Sequence, residues 1–280
     1  MVYSIENAKF RVNVNDLGAE LTNWIDKADD YEYIWQDRTV WNGQSPILFP
    51  IVGRLRDDIY EIEGKEYTLP KHGFARRMVF ALEEQKDDEM TFLLKDTEET
   101  LEKYPFPFEL RIRYELTENG LIMENRVTNT GDKTMYFSLG THPAFACEMG
   151  DKIVMDAEET ALSYIANADS LRCDVKIPVW ENGKEITITP NVYDQDALFF
   201  DCLNSNGCTL VRANGRNVHV DFGGAPSLGF WAKPGAKYTC IEPWYGIPDR
   251  CDDGHDFTKK EQIIALEPGE EFLFPLTMSI

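Results

Sequence analysis

The sequence predicts an all-β protein, a large antiparallel β-sandwich with few short helices. Apolar and polar residues alternate with a period close to two along most of the chain, which is the pattern of half-buried strands. Gly, Pro and Asn residues interrupt this alternation at short intervals, as turns between strands require. Many short strands with almost no helix are typical of a sandwich or a barrel.

The clearest strand covers residues 108–116, where the alternation places five apolar side chains on one face. Asn119 and Gly120 follow, and this pair favours the positive φ angles of a tight hairpin turn. Residues 121–129 then form the next strand of a meander, which ends at a turn over residues 130–133. The other predicted strands cover residues 9–14, 61–69, 90–95, 185–189, 209–212, 217–222, 227–232 and 271–279.

One short helix is predicted over residues 97–103. Asp96 is its expected N-cap, and Glu99 lies three residues further on, as in a capping box. Pro105 and Pro107 end the helix within two turns, because proline cannot donate a backbone hydrogen bond. Another short turn is expected near residues 259–262.

No internal repeat, low-complexity tract or linker divides the chain. The polar stretch over residues 181–194 contains its own strand candidate, so it is interpreted as an excursion from one domain. With 43% hydrophobic residues the chain has enough apolar material for a sizeable core. We therefore expect a single domain over residues 1–280.

The composition restricts the partners of the protein. With 49 acidic and 28 basic residues the formal charge is −21, which disfavours binding to nucleic acid or to an anionic membrane. The N-terminus lacks the pattern of a signal peptide, and no apolar run approaches the ~18 residues of a membrane span. The six cysteines form no CxxC pair. A cytoplasmic protein is expected, and an exposed sheet face would be compatible with a homodimer.

Only four histidines occur, so each one can be considered. His72 and His142 lie where predicted strands run into Gly and Pro, positions at which side chains point into clefts. Pro143 holds His142 in extended geometry and so limits the direction of its ring. For His219, inside an alternating strand, and His255, in an acidic loop, a structural role is the better interpretation.

Glu242 lies in the apolar, aromatic segment of residues 241–244, where a carboxylate is costly to desolvate unless it is paired or in use. An acid–base role and a pairing with arginine fit this segment about equally.

Arg54 follows an apolar run. Its guanidinium could bind the vicinal hydroxyls of a sugar or a carboxylate, and the alternative is a structural ion pair. Three tryptophans are candidates for stacking on a sugar ring or for core packing: Trp41, Trp231 and Trp244.

Motifs for other chemistry are missing. The sequence contains no HxH, HExxH or Cys/His cluster, so no metal is expected. It also has no GxxxxGK[ST] phosphate loop and no GxSxG nucleophile elbow. We expect no cofactor.

Taken in order, these segments resemble the aldose 1-epimerase (galactose mutarotase-like) family, especially its branch of LacX-like proteins. The similarity covers nearly the whole chain, through residues 45–54, 60–69, 72–73, 104–116, 140–143 and 242–244. The resemblance implies the large antiparallel β-sandwich of that family, the galactose mutarotase-like supersandwich. It also implies interconversion of the α and β anomers of an aldohexose without a cofactor.

The resemblance also implies roles for single residues. Glu242 would be the general base and His142 the general acid of ring opening, with His72 hydrogen-bonding near the ring oxygen. Their ordinary pKa values of about 4.3 for Glu and 6.5 for His suit these roles near neutral pH. Arg54 would bind the sugar.

A sugar-binding aspartate is also implied, for which Asp196 has the family's spacing and Asp201 is a rival. Around the second histidine the sequence departs from galactose mutarotases, because Thr141 precedes His142 and Pro143 follows it. The identity of the sugar is therefore left open.

Three alternatives remain. A mutarotase for hexose 6-phosphates would use basic residues for the phosphate, with Arg76 and Arg77 as candidates. A non-catalytic carbohydrate-binding β-sandwich would use tryptophan platforms but would not need an acid–base pair. A glycosidase would need a second carboxylate about 5–10 Å from Glu242, such as Asp196 or Asp201.

Overall fold

The computed structural model describes residues 1–280 and contains twenty-five β-strands and one α-helix. The strands are β1 (Val2–Glu6), β2 (Phe10–Asn15), β3 (Glu20–Asp26), β4 (Tyr31–Glu32), β5 (Ile47–Leu48), β6 (Ile59–Ile62), β7 (Lys65–Thr68), β8 (Ala81–Gln85), β9 (Glu89–Lys95), β10 (Phe108–Leu116), β11 (Gly120–Asn129), β12 (Met135–Phe137), β13 (Leu139–Thr141), β14 (Ala144–Ala146), β15 (Lys152–Met155), β16 (Ser163–Ala166), β17 (Arg172–Ile177), β18 (Glu185–Thr187), β19 (Leu198–Asp201), β20 (Gly207–Val211), β21 (Val218–Asp221), β22 (Ser227–Trp231), β23 (Tyr238–Tyr245), β24 (Ile264–Leu266) and β25 (Glu271–Ser279). The helix is α1 (Glu98–Lys103), and short 3-10 turns cover Arg56–Asp58, Ala75–Arg77 and Phe257–Lys259.

Two large antiparallel sheets form the sandwich. The nine-stranded sheet has the order β18-β15-β20-β21-β25-β11-β10-β9-β8. The eight-stranded sheet has the order β17-β16-β19-β22-β23-β13-β5, with β14 paired to β23 beside β13. Three smaller groups complete the fold: β1 to β4, β12 with β24, and the β6–β7 hairpin.

The core lies between these sheets. In β10 buried and half-buried residues alternate along the whole strand, so every second side chain points inward. A single cluster of 61 buried apolar residues includes Leu110 and Ile112 of the nine-stranded sheet and Leu228 and Phe230 of the eight-stranded sheet. The two inner faces therefore share one core, as in a β-sandwich.

The predicted all-β fold class is confirmed, and most predicted strands lie within a residue or two of the observed ones. The predicted strand over residues 61–69 is instead the β6–β7 hairpin, in which Ile62 pairs with Lys65. The helix begins one residue later than expected, because Thr97 and not Asp96 is the N-cap. Thr97 forms a capping box with Thr100, so the predicted role of Glu99 was wrong.

The expected turn near residues 259–262 lies slightly earlier, at Phe257–Lys259. None of the helices has the length and apolar character needed to cross a bilayer.

Candidate active site

A cavity of about 220 Å³ opens at the eight-stranded sheet, and most of the predicted site residues line it. His72, His142, Glu242 and Asp196 all contribute to its wall. The three tryptophans that the sequence singled out as stacking candidates, Trp41, Trp231 and Trp244, line it as well. Residues separated by up to 203 positions, from Trp41 to Trp244, thus form one polar and aromatic site.

An interruption in the sheet brings His142 and Glu242 together. On one side of the break Gly140 of β13 pairs with Trp244, and on the other side Ala144 of β14 pairs with Cys240. Because the register is the same on both sides, His142 in the break falls opposite Glu242 on β23. Directly opposite residues of an antiparallel pair have adjacent side chains. His142 Nε2 accordingly lies 3.2 Å from Glu242 Oε2.

A missing side chain on the neighbouring strand makes room for the Trp244 ring next to this pair. Gly229 of β22 pairs with Glu242 from the other side of β23. A Cβ atom at Gly229 would lie 2.5 Å from the Trp244 ring, closer than van der Waals contact permits. Glycine at this position therefore lets the Trp244 ring pack beside Glu242 in the cavity wall.

Burial dominates the electrostatics of the pair. Glu242 is 2% exposed and His142 is 7% exposed. Burial raises the pKa of Glu242 well above its usual value, and burial lowers the pKa of His142 to about 3. Both shifts have the same cause, since a low-dielectric environment penalises the charged form of either group. Burial therefore favours the neutral carboxyl of Glu242 and the neutral imidazole of His142.

His72 is held in one tautomer by the backbone. Gly53 N–H donates to His72 Nδ1 at 3.1 Å, and the backbone N–H of His72 donates to the Gly53 carbonyl at 2.7 Å. A ring nitrogen that accepts a hydrogen bond carries no proton, so Nε2 of the neutral ring is the donor. Burial lowers the pKa of His72 well below its usual value and keeps the ring neutral.

The backbone around His72 is unusual. His72 has a φ of 65° and Gly73 a φ of 68°, in the left-handed region that non-glycine residues seldom adopt. A Cβ atom at Gly73 would lie 2.2 Å from the Phe49 carbonyl oxygen, so only glycine fits there. The tight turn sets the direction of the His72 ring, which lies edge-on to His142 with ring centroids 6.0 Å apart.

Aromatic rings fix the orientation of His142. Trp41 stacks on its ring at a centroid distance of 5.2 Å and an interplanar angle of 28°. Trp231 meets the same ring edge-on at 5.8 Å. Trp41 also stacks on Tyr238 at 5.5 Å, which connects it to the core. The imidazole therefore has little rotational freedom.

Asp196 and its rival Asp201 have different surroundings. Asp196 lines the cavity, and its Oδ1 accepts a hydrogen bond from Trp231 Nε1 at 3.0 Å. Its second carboxylate oxygen is left for a ligand. Asp201 lies outside the cavity wall, where it accepts from the Tyr164 hydroxyl at 2.8 Å and pairs with Lys176 at 3.4 Å. The geometry favours Asp196, whose contact with a sugar stays a prediction.

Arg54 is not part of the cavity wall. Its Nε and Nη2 donate to the two carboxylate oxygens of Asp58 at 2.7 and 2.6 Å, and Nη1 donates to the Asp169 carbonyl at 3.3 Å. This is the structural ion pair that the sequence left open as an alternative. The neighbouring Gly53 lines the cavity instead. The guanidinium N–H groups of Arg54 already donate to Asp58 and Asp169, so sugar binding by Arg54 stays a prediction that the geometry does not support.

Two basic side chains, those of Lys71 and Arg76, line the cavity. Arg76 had been considered only as a phosphate contact, and Lys71 was missed. Its signal in the sequence was its position directly before His72.

His219 and His255 lie outside the cavity, as expected. His219 pairs with Asp156 at 3.1 Å, and His255 lies 3.5 Å from Asp57.

One group of side chains has the donor types of a metal site. His142, Cys240 and Glu242 bring their ligand atoms within 4.8 Å of one another. Burial raises the pKa of the Cys240 thiol well above its usual value, whereas a metal requires the thiolate. We assign no metal to this group, and the absence of a metal stays a prediction.

Comparison with known proteins identifies the family. The aldose 1-epimerase family profile matches residues 1–279. Protein LacX of Lactococcus lactis subsp. lactis is 33% identical over 96% of this chain and 95% of the relative. A galactose mutarotase related enzyme from Lactobacillus acidophilus superposes with a TM-score of 0.92 at 35% identity, covering 100% of this chain and 97% of the other.

A galactose mutarotase-like protein from Lactobacillus casei gives a TM-score of 0.93 at 30% identity, covering 100% of this chain and 99% of the other. The predicted resemblance to this family and its LacX-like branch is confirmed. The chain belongs to the aldose 1-epimerase family, a family of isomerases.

Proposed function

We propose that this protein binds a free aldohexose and interconverts its α and β anomers, with Glu242 and His142 as the acid–base pair. The observation that carries the proposal is the 3.2 Å separation between His142 Nε2 and Glu242 Oε2 in the wall of the cavity. Both oxygens that exchange protons in this reaction are bonded to C1 of the sugar. Two adjacent groups can therefore serve them at the same time.

The Glu242–His142 pair carries one exchangeable proton at the start of the reaction. Before ring opening Glu242 is ionised and His142 is protonated. Glu242 removes the proton of the C1 hydroxyl while His142 donates its proton to the ring oxygen, and the C1–ring oxygen bond breaks. The carboxyl and the imidazole are then both neutral, which is the arrangement that burial favours.

Ring closure reverses these transfers. Rotation about the C1–C2 bond presents the other face of the aldehyde to the hydroxyl that had been the ring oxygen. His142 then takes back the proton of that hydroxyl while the Glu242 carboxyl protonates the aldehyde oxygen, and the opposite anomer forms. The pair returns to its starting state, so the cycle consumes no proton and requires no cofactor.

The remaining residues orient the sugar. His72 can only donate through Nε2, because its Nδ1 is occupied by Gly53, and we assign this N–H to a position near the ring oxygen. The free oxygen of Asp196 would accept a sugar hydroxyl. The exposed parts of Trp41 and Trp231 would pack against the apolar face of the ring.

We propose that the protein acts in the cytoplasm. All six of its cysteines are free thiols, and thiols stay reduced in that compartment.

Exchange spectroscopy of the anomeric protons tests the proposal. Glucose and galactose at anomeric equilibrium, and a panel of other aldoses including phosphorylated ones, are incubated with wild-type protein, Glu242→Gln, His142→Asn and the control His219→Asn. We expect α–β exchange with at least one neutral aldose, reduced about 100- to 10,000-fold by either cavity substitution, the range for loss of a general acid or base. The control should retain wild-type exchange.

Polarimetry of freshly dissolved α-D-glucose and α-D-galactose gives an independent rate. Wild-type protein that accelerates no sugar of the panel above the buffer rate contradicts the proposal. Sugar-dependent shifts of tryptophan fluorescence without any exchange would instead indicate a carbohydrate-binding protein that lacks catalysis.

A further inference from the structure

The turn between β16 and β17 forms part of the cavity wall. β16 ends at Ala166, which pairs with Arg172 at the start of β17. Residues 167–170, here called the flap, lie between them and are exposed to solvent at their tip. Ala166 and Ser170 line the cavity. The flap is therefore a surface element with one side on the candidate active site.

The base of this hairpin is fixed to the rest of the protein. Arg172 is 2% exposed, its Nη1 donates to the Glu261 carboxylate at 3.2 Å, and its guanidinium lies over the Tyr164 ring at 4.9 Å. The backbone N–H of Arg172 donates to the Asp249 carbonyl at 2.8 Å. The Tyr164 hydroxyl donates to Asp201 at 2.8 Å. A movement of the flap would therefore leave β16 and β17 in place.

The backbone is irregular at both ends of the flap. The β16–β17 register shifts between Tyr164 and Ala166, so the ladder of hydrogen bonds is interrupted just before the flap. At the other end Ser170 has a φ of 61°, in the left-handed region that non-glycine residues seldom adopt. Because neither end is held by a regular ladder, both ends can act as hinges.

Two cationic side chains from other segments connect the flap to the protein. Lys71 Nζ donates to Ser170 Oγ at 3.1 Å, and Arg54 Nη1 donates to the Asp169 carbonyl at 3.3 Å. No ion pair and no backbone hydrogen bond joins the flap to segments outside its own hairpin. A hydroxyl and a carbonyl carry no net charge, so these two contacts lack the Coulomb attraction of an ion pair. They can therefore break and form again at a small cost.

Asn167 makes the flap a compact unit. Its Oδ1 accepts from the backbone N–H groups of Asp169 at 2.9 Å and of Leu171 at 3.0 Å. Its Nδ2 donates to Cys251 Sγ at 3.3 Å, and a thiol sulfur is only a weak acceptor. The flap can therefore move as one piece without losing its internal hydrogen bonds.

The candidate catalytic groups are difficult to reach in this arrangement. Glu242, His142 and His72 are 2%, 7% and 8% exposed. The cavity of about 220 Å³ is smaller than most ligand sites, which measure about 300 to 1,000 Å³. A sugar enters most readily if one wall moves, and the flap is a part of the wall with a fixed base and few contacts. Closure afterwards would keep water from the aldehyde intermediate.

We propose that the flap opens to admit the sugar and closes over it, and that Lys71 and Arg54 are positioning residues that hold it closed. The inference rests on the proposed function, because it assumes that a sugar binds in this cavity. It gives a role to two cations, since Lys71 has no carboxylate partner and Arg54 lies outside the cavity wall. Both act through the flap and need not touch the sugar.

NMR relaxation dispersion of the backbone amides of residues 167–170 measures opening and closing on the μs–ms timescale. Sugar-free wild-type protein is compared with Lys71→Met, Ser170→Ala and the control Lys65→Met, an exposed lysine of the β6–β7 hairpin outside the cavity wall. We expect each cavity variant to raise the ratio of open to closed flap about 5- to 30-fold, the factor for loss of one hydrogen bond. The control should leave this ratio unchanged.

Double variants identify the contacts. Lys71→Met with Ser170→Ala should raise the ratio no further than either single variant, because both remove the same hydrogen bond. Lys71→Met with Arg54→Met should multiply the two single effects, because these substitutions remove separate contacts. Independent effects of Lys71→Met and Ser170→Ala would overturn the role of their contact. If Lys71→Met does not fold, Lys71→Gln takes its place.

Sugar binding tests closure. Saturation with an aldose that binds should suppress the dispersion, because the sugar favours the closed flap. For an aldose that is exchanged, KM should rise in each variant by the factor by which the closed fraction falls, with kcat retained. A higher KM for Lys71→Met without a change in the flap equilibrium overturns the inference, since Lys71 would then be a sugar contact.

Failure of this inference is distinct from failure of the proposed function. A flap without dispersion in wild-type protein and in every variant refutes the inference even if the protein exchanges anomers. An open–closed equilibrium that no aldose of the panel shifts refutes it as well. An equilibrium that a bound sugar suppresses supports the inference even if no sugar is exchanged.

Discussion

The buried ion pair between Lys260 and Asp249 gives a stability prediction that can be calculated from the structure. Their side chains are 4% and 6% exposed. Lys260 Nζ donates to Asp249 and, at 2.7 Å, to the Ile247 carbonyl. Asp249 Oδ2 also accepts from the backbone N–H of Arg56 at 2.9 Å. Substitution of Lys260 by Met would leave the buried Asp249 carboxylate with that one donor.

Breaking a buried pair by removing one partner costs about 3 to 5 kcal/mol, because the other charge stays desolvated. An unfolding entropy of about 2.1 cal/mol/K per residue gives roughly 0.6 kcal/mol/K for a chain of 280 residues. We therefore expect Lys260→Met to lower Tm by about 5 to 8 °C. Lys260→Met with Asp249→Asn should recover part of this loss, because no charge is then left unpaired.

Thermal unfolding followed by circular dichroism measures these shifts. Lys259→Met is the matched control, since the adjacent Lys259 is 80% exposed and pairs with Asp256 at 2.7 Å on the surface. Such a pair contributes about 0 to 1 kcal/mol, so Tm should fall by less than about 2 °C. Equal shifts for the two single variants would refute the argument that burial sets the cost.

Two further predictions concern the cavity. Long-range ¹H–¹⁵N NMR at neutral pH should find His72 as the Nε2–H tautomer, because Gly53 N–H occupies Nδ1; an Nδ1–H tautomer would contradict this. Asp196→Asn should reduce kcat/KM about 10- to 100-fold through loss of a charged hydrogen-bond acceptor, as measured by anomeric exchange. Asp201→Asn should have less than a twofold effect, since Asp201 lies outside the cavity wall, and the reverse order would assign sugar binding to Asp201.

Local pattern was sufficient for the strands. The alternation over residues 108–116 predicted β10 with its bounds and its buried face, because the side-chain direction within a strand depends only on the strand itself. Capping was harder to predict, since Asp96 and Thr97 are both good N-cap residues and only the backbone geometry selects one. Thr97 was selected because its side chain and that of Thr100 satisfy each other's backbone N–H groups.

The candidate site needed more than pattern. Histidine and glutamate before proline marked His142 and Glu242 one at a time, and the family resemblance joined them. Arg54 shows the limit of such reasoning, because its partner Asp58 lies four residues away and was no better marked than other acids. Lys71 was overlooked although it directly precedes His72, because most lysines face solvent and its residue type alone does not indicate a cavity.

The sequence by itself determined the all-β class, most strand bounds and the residue types available for acid–base chemistry, because these depend on neighbours along the chain. Only the tertiary structure decided which residues meet. His142 and Glu242 are one hundred positions apart, and their 3.2 Å contact follows from the common register of β13 and β14 against β23. The shifted pKa values of the pair likewise arise from burial, which exists only once the two sheets have closed over the core.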